Sequence, residues 1–210
     1  MFDVIIPCKS NFDGLQGLVA SLVNDPGTRE IVVVADGQNA YDRIESFDLP
    51  VTLLSVPLAS GIHKMWNLGM DAIQGNNRHL AIINDDVSLS DNAISTVVKM
   101  LDADPAKGLV TPSQNADDRF EFVETTAFAG YCMVIAKDLV SEWRFDERMM
   151  WWYGDNDVIM WVRHTKNRIT GLTALCYALG NHSHTIYYDP PPNFNTDIER
   201  DSEIYKTKWP

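Results

Sequence analysis

Leu80-Ala81-Ile82-Ile83-Asn84-Asp85-Asp86 is the stretch that decides the fold. Four apolar residues in a row, without alternation, read as a strand buried on both faces, as in a parallel sheet covered by helices. The strand stops at three polar residues, two of them carboxylates. In open parallel α/β sheets, ligands bind beyond the carboxyl ends of the strands. One short segment therefore predicts a fold class and a place to look for chemistry.

Upstream the same grammar repeats. Val4-Ile5-Ile6 reads as a strand ended by Pro7, Ile31-Val32-Val33-Val34 as a second and Val51-Thr52-Leu53-Leu54 as a third. Between the first two, Leu15, Leu18, Val19 and Leu22 share one helical face, and Asp25-Pro26-Gly27 closes that helix. Residues 62 to 74 read as a helix with Trp66, Met70 and Ile73 on one side. Downstream, Ser90 is expected to cap a helix whose buried stripe is Ile94, Val97, Val98 and Leu101. This β-α alternation predicts a single-domain α/β protein, a doubly wound and mostly parallel Rossmann-like sheet with helices on both faces. After about residue 105 the alternation weakens. Leu109-Val110-Thr111 reads as a short strand, and Phe128 to Ile135 is apolar around Gly130. An aromatic block and a helix from about 155 to 166 follow, and then Pro190-Pro191-Pro192 and a polar tail.

Bulk properties narrow the function. The 210 residues suffice for one domain with a substantial core. The net charge of -12 repels phosphate backbones and anionic lipids, which disfavours non-specific nucleic-acid binding. Cys8, Cys132 and Cys176 are odd in number and lie in apolar stretches, so they read as buried free thiols in a reducing compartment. The first residues lack the features of a signal peptide, and no apolar run is long enough to span a bilayer. The expected location is cytoplasmic.

The strand ends supply the candidate chemistry. After the first strand come Pro7, Cys8, Lys9, Ser10 and Asn11; after the second, Asp36 and Gly37; after the fourth, Asn84, Asp85 and Asp86. Neither a Gly-x-Gly-x-x-Gly nor a Gly-x-x-x-x-Gly-Lys-Ser/Thr is present, which disfavours a dinucleotide dehydrogenase and a P-loop ATPase. Adjacent carboxylates repel unless a cation or hydrogen bonds compensate. A hard divalent ion held by one or two carboxylates, with substrate phosphates completing its shell, is one solution. Neighbouring residues in an extended chain point opposite ways, so one of Asp85 and Asp86 is free to hold metal while the other meets a ribose hydroxyl. A solvated turn with helix-capping acids has the same local sequence.

Along most of its length the chain resembles the family-2 glycosyltransferases with the A-type fold. Asp3-Val4-Ile5-Ile6-Pro7 resembles that family's first strand. Ile31 through Ala35-Asp36-Gly37 resembles its second, which usually ends Asp-Asp-Gly; here only Asp36 carries over, as a base or ribose contact. Gly61 through Asn67-Leu68-Gly69 is similar to its Gly-rich stretch, and Asn84-Asp85-Asp86 to its Asp-x-Asp position, making Asp86 the implied metal ligand. Gly130 through Ile135 and then Arg144-Phe145-Asp146-Glu147 are similar to the stretch before the catalytic loop. Tyr153-Gly154-Asp155-Asn156-Asp157 resembles the family's Glu-Asp-x-Asp, with Gly154 in place of the first acid and Asp155 as the implied base. His182 or His184 stands where a later metal- or diphosphate-binding histidine is found. Tyr205-Lys206-Thr207-Lys208-Trp209 is similar to tails of rhamnosyltransferase-like members.

The resemblance implies transfer of a hexose or deoxyhexose from a nucleoside diphosphate to an acceptor hydroxyl, with Mn²⁺ or Mg²⁺ and inversion at the anomeric carbon. Residues 1–104 form the implied nucleotide-binding half, 105–186 the acceptor and catalytic half, and 187–210 a tail or lid. Pro7, Lys9, Asn11, Asp36, Lys64, Asn67 and Asp85 are expected at the donor, with Lys206 or Lys208 as further positive charge. Asp86, His182 and His184 are expected at the metal, Asp155 and Asp157 at the catalytic centre. Trp151, Trp152 and Tyr153 offer flat faces to an acceptor sugar. The acceptor class stays open among glycan, protein, lipid and modified nucleobase, as does the oligomeric state. Two other readings remain: an inactive sugar-nucleotide or carbohydrate binder, to which Ala35 and Gly154 point, and a nucleotidyltransferase, for which Lys9-Ser10-Asn11 is a sparse phosphate loop.

Overall fold

A computed structural model describes residues 1–73, 77–126, 130–180 and 193–210. Its centre is a mixed sheet. Strands β1 (Phe2–Cys8), β2 (Thr28–Asp36), β3 (Thr52–Val56) and β4 (His79–Ile83) are parallel and lie in the order β3-β2-β1-β4. Helices α1 (Phe12–Asn24), α2 (Gln38–Glu45) and α3 (Ile62–Ala72) connect them. The path steps one way from β1 to β3 and then reverses to reach β4. With right-handed crossovers, α1 and α2 cover one face and α3 the other. The reversal opens a crevice at the carboxyl ends of β1 and β4, the topological switch point where ligands bind in such sheets.

The expected core stripes are found. Leu15, Leu18, Val19 and Leu22 are the buried residues of α1. Ile94, Val97, Val98 and Leu101 are buried on α4 (Ala93–Ala103). Every residue of β1 and β4 is buried, which accounts for the unbroken apolar runs. All three cysteines are buried and free. Two local expectations need correction. Pro7 does not end β1, which continues to Cys8; β4 accompanies β1 only as far as Ile5, so Pro7 lies past that ladder, where a missing N–H is tolerated. Ser90 does not cap α4. Its hydroxyl donates to the Tyr177 carbonyl and accepts the Tyr177 amide. The cap comes from Asp25, whose carboxylate accepts the amide of Ser95 at 3.1 Å and its hydroxyl.

Past α4 the sheet becomes mixed. Strand β8 (Cys132–Ile135) lies antiparallel between β4 and β6 (Lys107–Ser113). β6 is parallel to β9 (Ile169–Gly180), which also carries β5 (Val87–Leu89) and β7 (Val123–Glu124) as antiparallel partners. The predicted helix after the aromatic block is α5 (Gly154–Met160), continued by a five-residue π turn, Trp161–Thr165. Where a polar tail is expected, Phe194–Lys208 form a 15-residue helix, α6.

Candidate functional site

The carboxyl ends of β1, β2 and β4 open into a cleft of ≈ 300 Å³, closed on its far side by the segment leading into α5 and by Phe194 at the start of α6. Of the residues expected at a donor, Pro7, Lys9, Asp36 and Asp85 line it, as does Asp86; Trp151, Trp152, Tyr153 and Asp155 line the opposite wall. Residues separated by about seventy positions in sequence thus face one space.

The acidic end of β4 is tied to the loop after β1. The Asn11 amide donates to the Asp85 carbonyl at 2.9 Å, while its Oδ1 accepts the Gly14 amide and caps α1. Asn11 therefore positions the acidic turn from behind and does not line the cleft. Burial pushes the Asp85 carboxyl up to about 7, and the neighbouring Asp86 charge adds to this; hydrogen bonds from the Cys8 thiol and the Lys9 and Asn11 amides oppose it. The Cys8 thiol is pushed up by the same burial and by Asp85. Asp86 is buried. The Asn84 side-chain oxygen is buried without a hydrogen-bond partner among the described residues. Two crowded carboxyls and an amide oxygen at one strand end make a hard-oxygen donor set, which suits Mg²⁺ or Mn²⁺ when phosphate oxygens complete the shell. No group of three or more metal-binding side chains converges among the described residues. His182 and His184 lie outside the described residues, as do Tyr187 and the triple proline.

Asp36, at the end of β2, accepts the Ala59 amide at 2.8 Å and so holds the loop before α3 against the cleft. Ala35, where the resemblance leads one to look for a second acid, is fully buried within the sheet. Lys64 is exposed on α3 and outside the cleft. Asn67 is also elsewhere. Its side chain exchanges two hydrogen bonds with the Phe145 backbone and donates to Glu147, fixing the segment that precedes the aromatic block.

On the opposite wall, Asp155 is partly buried. Its carboxylate accepts the amides of Asn156 and Gly130, each at 2.9 Å. Gly130 is required there, because a Cβ would stand 2.5 Å from the Asp155 Cβ. Burial holds the Asp155 carboxyl above the ordinary carboxylate range, and these amides oppose that shift. A carboxylate of raised proton affinity beside a cleft has the character of a general base. Asp157 is placed differently: it is fully buried, with Oδ2 accepting Lys208 at 2.8 Å and Oδ1 accepting the Trp209 indole at 2.7 Å. Both of its oxygens serve the end of α6, and it does not line the cleft. That contact also removes Lys208 from the candidates for leaving-group charge; Lys206 is exposed and outside the cleft. Sequence reading missed Met65, Trp66, Tyr131 and Phe194, which complete the walls; nothing in their spacing distinguishes a cleft-facing apolar residue from a core one.

Residues 3–159 match the family described as Glycosyl transferase family 2. No curated protein matches the sequence. Among solved structures, GalNAc-T7 with UDP, GalNAc and Mn²⁺ aligns with a TM-score of 0.69 at 12% identity, over 98% of this chain and 50% of its own. The mannosyltransferase PcManGT of Pyrobaculum calidifontis, in complex with GDP-Man and Mn²⁺, aligns with a TM-score of 0.61 at 17% identity, over 82% and 56%. The glucosyl-3-phosphoglycerate synthase of Mycobacterium tuberculosis, in complex with Mn²⁺, UDP and glucosyl-3-phosphoglycerate, aligns with a TM-score of 0.67 at 11% identity, over 99% and 78%. The chain spans about half the length of the first two. All three share the A-type α/β fold with this chain, and the family match extends from β1 through the Asp155 loop: the protein belongs to glycosyl transferase family 2.

Proposed function

We propose that the protein transfers a sugar from a nucleoside-diphosphate sugar to an acceptor hydroxyl. The observation that carries this reading is the meeting of the Asn84-Asp85-Asp86 turn and Asp155 across one cleft at the switch point of the sheet. Asp86, with His182 or His184 as further candidates, would hold Mn²⁺ or Mg²⁺. Bound there, the ion supplies Lewis-acid neutralisation of the departing diphosphate. Asp36 and Asp85 are assigned to the nucleoside, and Pro7 and Lys9 to the floor beneath it. Asp155 takes the proton of the acceptor hydroxyl as it attacks, worth roughly 10²–10⁴-fold. One displacement with one base inverts the anomeric carbon. Trp151, Trp152 and Tyr153 form the platform for the acceptor, and their flat faces favour a glycan or another flat-faced acceptor. Likeness of the Tyr205–Trp209 segment to rhamnosyltransferase-like members supports including a deoxyhexose among the donors tried.

Thermal stabilisation by UDP-, GDP- and TDP-sugars, with and without Mn²⁺, tests the donor and cation together, because a ligand that binds only the folded state raises Tm. Asp86→Ala is expected to abolish metal-dependent stabilisation. Donor binding at full strength without a divalent cation removes the metal assignment. Slow metal-dependent hydrolysis of the donor separates an enzyme from a binding protein, the reading to which Gly154 and Ala35 point. No helix among the described residues is long and apolar enough to cross a membrane.

A further inference from the structure

Asp201 lies at the middle of α6 and does not line the cleft. It is fully buried. Its Oδ2 accepts three successive backbone amides, those of Met150 at 2.9 Å, Trp151 at 2.9 Å and Trp152 at 3.1 Å. Three N–H groups in a row pointing at one oxygen form an anion nest, and here the anion is the protein's own side chain. Charge-assisted hydrogen bonds of this kind are about twice as strong as neutral ones. The Oδ1 atom meets Arg200 at 3.1 Å, and the same guanidinium pairs with Asp197 at 3.0 Å.

The rest of α6 repeats the theme on the same side. Tyr205, one turn on, stacks on Tyr153 with ring centroids 5.1 Å apart and planes 20° from parallel. Lys208 and Trp209 occupy both oxygens of Asp157, four residues after Tyr153 in the first turn of α5. At the other end of the helix, Phe194 lies against Trp152, centroids 5.9 Å apart. Asp201, Tyr205 and Lys208 fall at i, i+4 and i+7, one face of a helix. That face brings two carboxylate contacts and a ring against the segment from 150 to 157.

We infer that Asp201 is a positioning residue: through its three amide hydrogen bonds it sets the backbone of Met150–Trp152, and so holds the aromatic wall and Asp155 in register with the acidic end of β4. The inference rests on the proposed transferase reading for its functional meaning, but the tether stands on geometry alone. Without the nest, three amides lose their acceptor, and the segment leading to Asp155 loses one of the contacts that fix its path, the others being the Ile62 amide on the Met150 carbonyl and the two ring contacts. None of these three bonds involves β1, β2 or β4; the tethered segment meets the donor side through the Ile62 amide, which donates to the Met150 carbonyl at 2.7 Å. A shift of about 1 Å in a catalytic group costs on the order of 10²-fold in rate, so turnover is the sensitive quantity and donor affinity is not.

The test uses Asp201→Asn in the full chain, nearly equal in shape but uncharged. Amide hydrogen exchange is followed for the peptide covering 150–152 and for β1 and β4. Expected are exchange at least about tenfold faster at 150–152, unchanged protection in β1 and β4, and stabilisation by UDP with Mn²⁺ equal to that of the parent. Hydrolysis of UDP-, GDP- and TDP-glucose with Mn²⁺ is expected to keep its donor KM within about twofold while kcat falls about tenfold or more. Wild-type protection at 150–152 in the variant overturns the tether. Faster exchange with unchanged kcat overturns the positioning role. Equal loss of protection everywhere makes Asp201 a general stability residue and overturns it as well. Absence of hydrolysis and of nucleotide stabilisation in the parent counts against the transferase reading, and leaves amide exchange to decide the tether. Should the Asn variant fail to fold, Tyr205→Ala removes the neighbouring stack without a buried charge, and is expected to loosen 150–153 in the same selective way.

Discussion

In the proposed reaction Asp155 carries the heaviest chemical demand of any single residue. As a base it acts only when ionised, and burial raises its proton affinity. Turnover is therefore expected to fall as pH drops through a value above the ordinary carboxylate range. A pH profile of kcat/KM checks this, and an acid limb at the position of a free aspartate would remove the base assignment. Asp155→Asn should keep metal-dependent donor binding and lose turnover by roughly 10²–10⁴-fold. Asp157 follows different logic although it is two positions away. On a helix, residues i and i+2 are turned about 200° apart, so when one faces the cleft the other faces α6. The sequence offers both acids in one motif; the separation of their roles requires a partner, Lys208 with Trp209, that arrives fifty residues later.

At the scale of elements, α5 begins under steric constraint. Any Cβ at Gly154 would lie 2.3 Å from Nε2 of His63 and 2.7 Å from the Trp66 ring. His63 is itself fully buried and stacks on both Trp66 and Phe145, whose rings also meet each other. The glycine that stands where the resemblance leads one to look for an acid is thus matched to a histidine from α3. Placing the acid there, Gly154→Glu, is expected to cost about 1–3 kcal/mol by overpacking. Trimming the ring in the same chain, His63→Ala, should return part of that loss. A double-mutant cycle by chemical denaturation measures the coupling, and simple additivity of the two changes would show that the ring is not the obstacle.

Elements also mark where the sequence was legible. The stripes of α1 and α4 were readable because helical periodicity is local and apolar. The cap of α4 was not, because Asp25 reaches Ser95 from seventy positions away. Helix α6 escaped notice because what it buries is charged: Asp197 and Asp201 are its buried residues, and a polar composition reads as solvated chain. The antiparallel β8 was hidden for a similar reason, since Cys132–Ile135 is apolar in either direction. At the site, the residues just after strands were found by topology alone. Asn67 and Lys64 came from likeness to a motif, and the side-chain partners of Asn67 lie about eighty positions on.

Over the whole molecule, charge sets how a donor arrives. A net charge of -12 surrounds a cleft to which the proposed function assigns an anionic diphosphate. Long-range repulsion slows encounter, and salt screens it. The association rate of UDP with the Mn²⁺-loaded protein is expected to rise a few-fold between about 0.01 and 0.15 M ionic strength. Stopped-flow measurement decides it, and a rate that falls with salt would point to a local basic field outweighing the total.

The bond between Asp157 and Trp209 also dictates an order of assembly. A chain made from its N-terminus can pair β1 to β4 early, since these four strands are ladder neighbours and only the outer edge of β4 waits for β8. The wall that holds Asp155 must wait, with a bare carboxylate in its interior, until residues 208 and 209 exist to answer it. On the proposed function, the strand ends assigned to the nucleotide are thus complete during synthesis before the wall assigned to the acceptor.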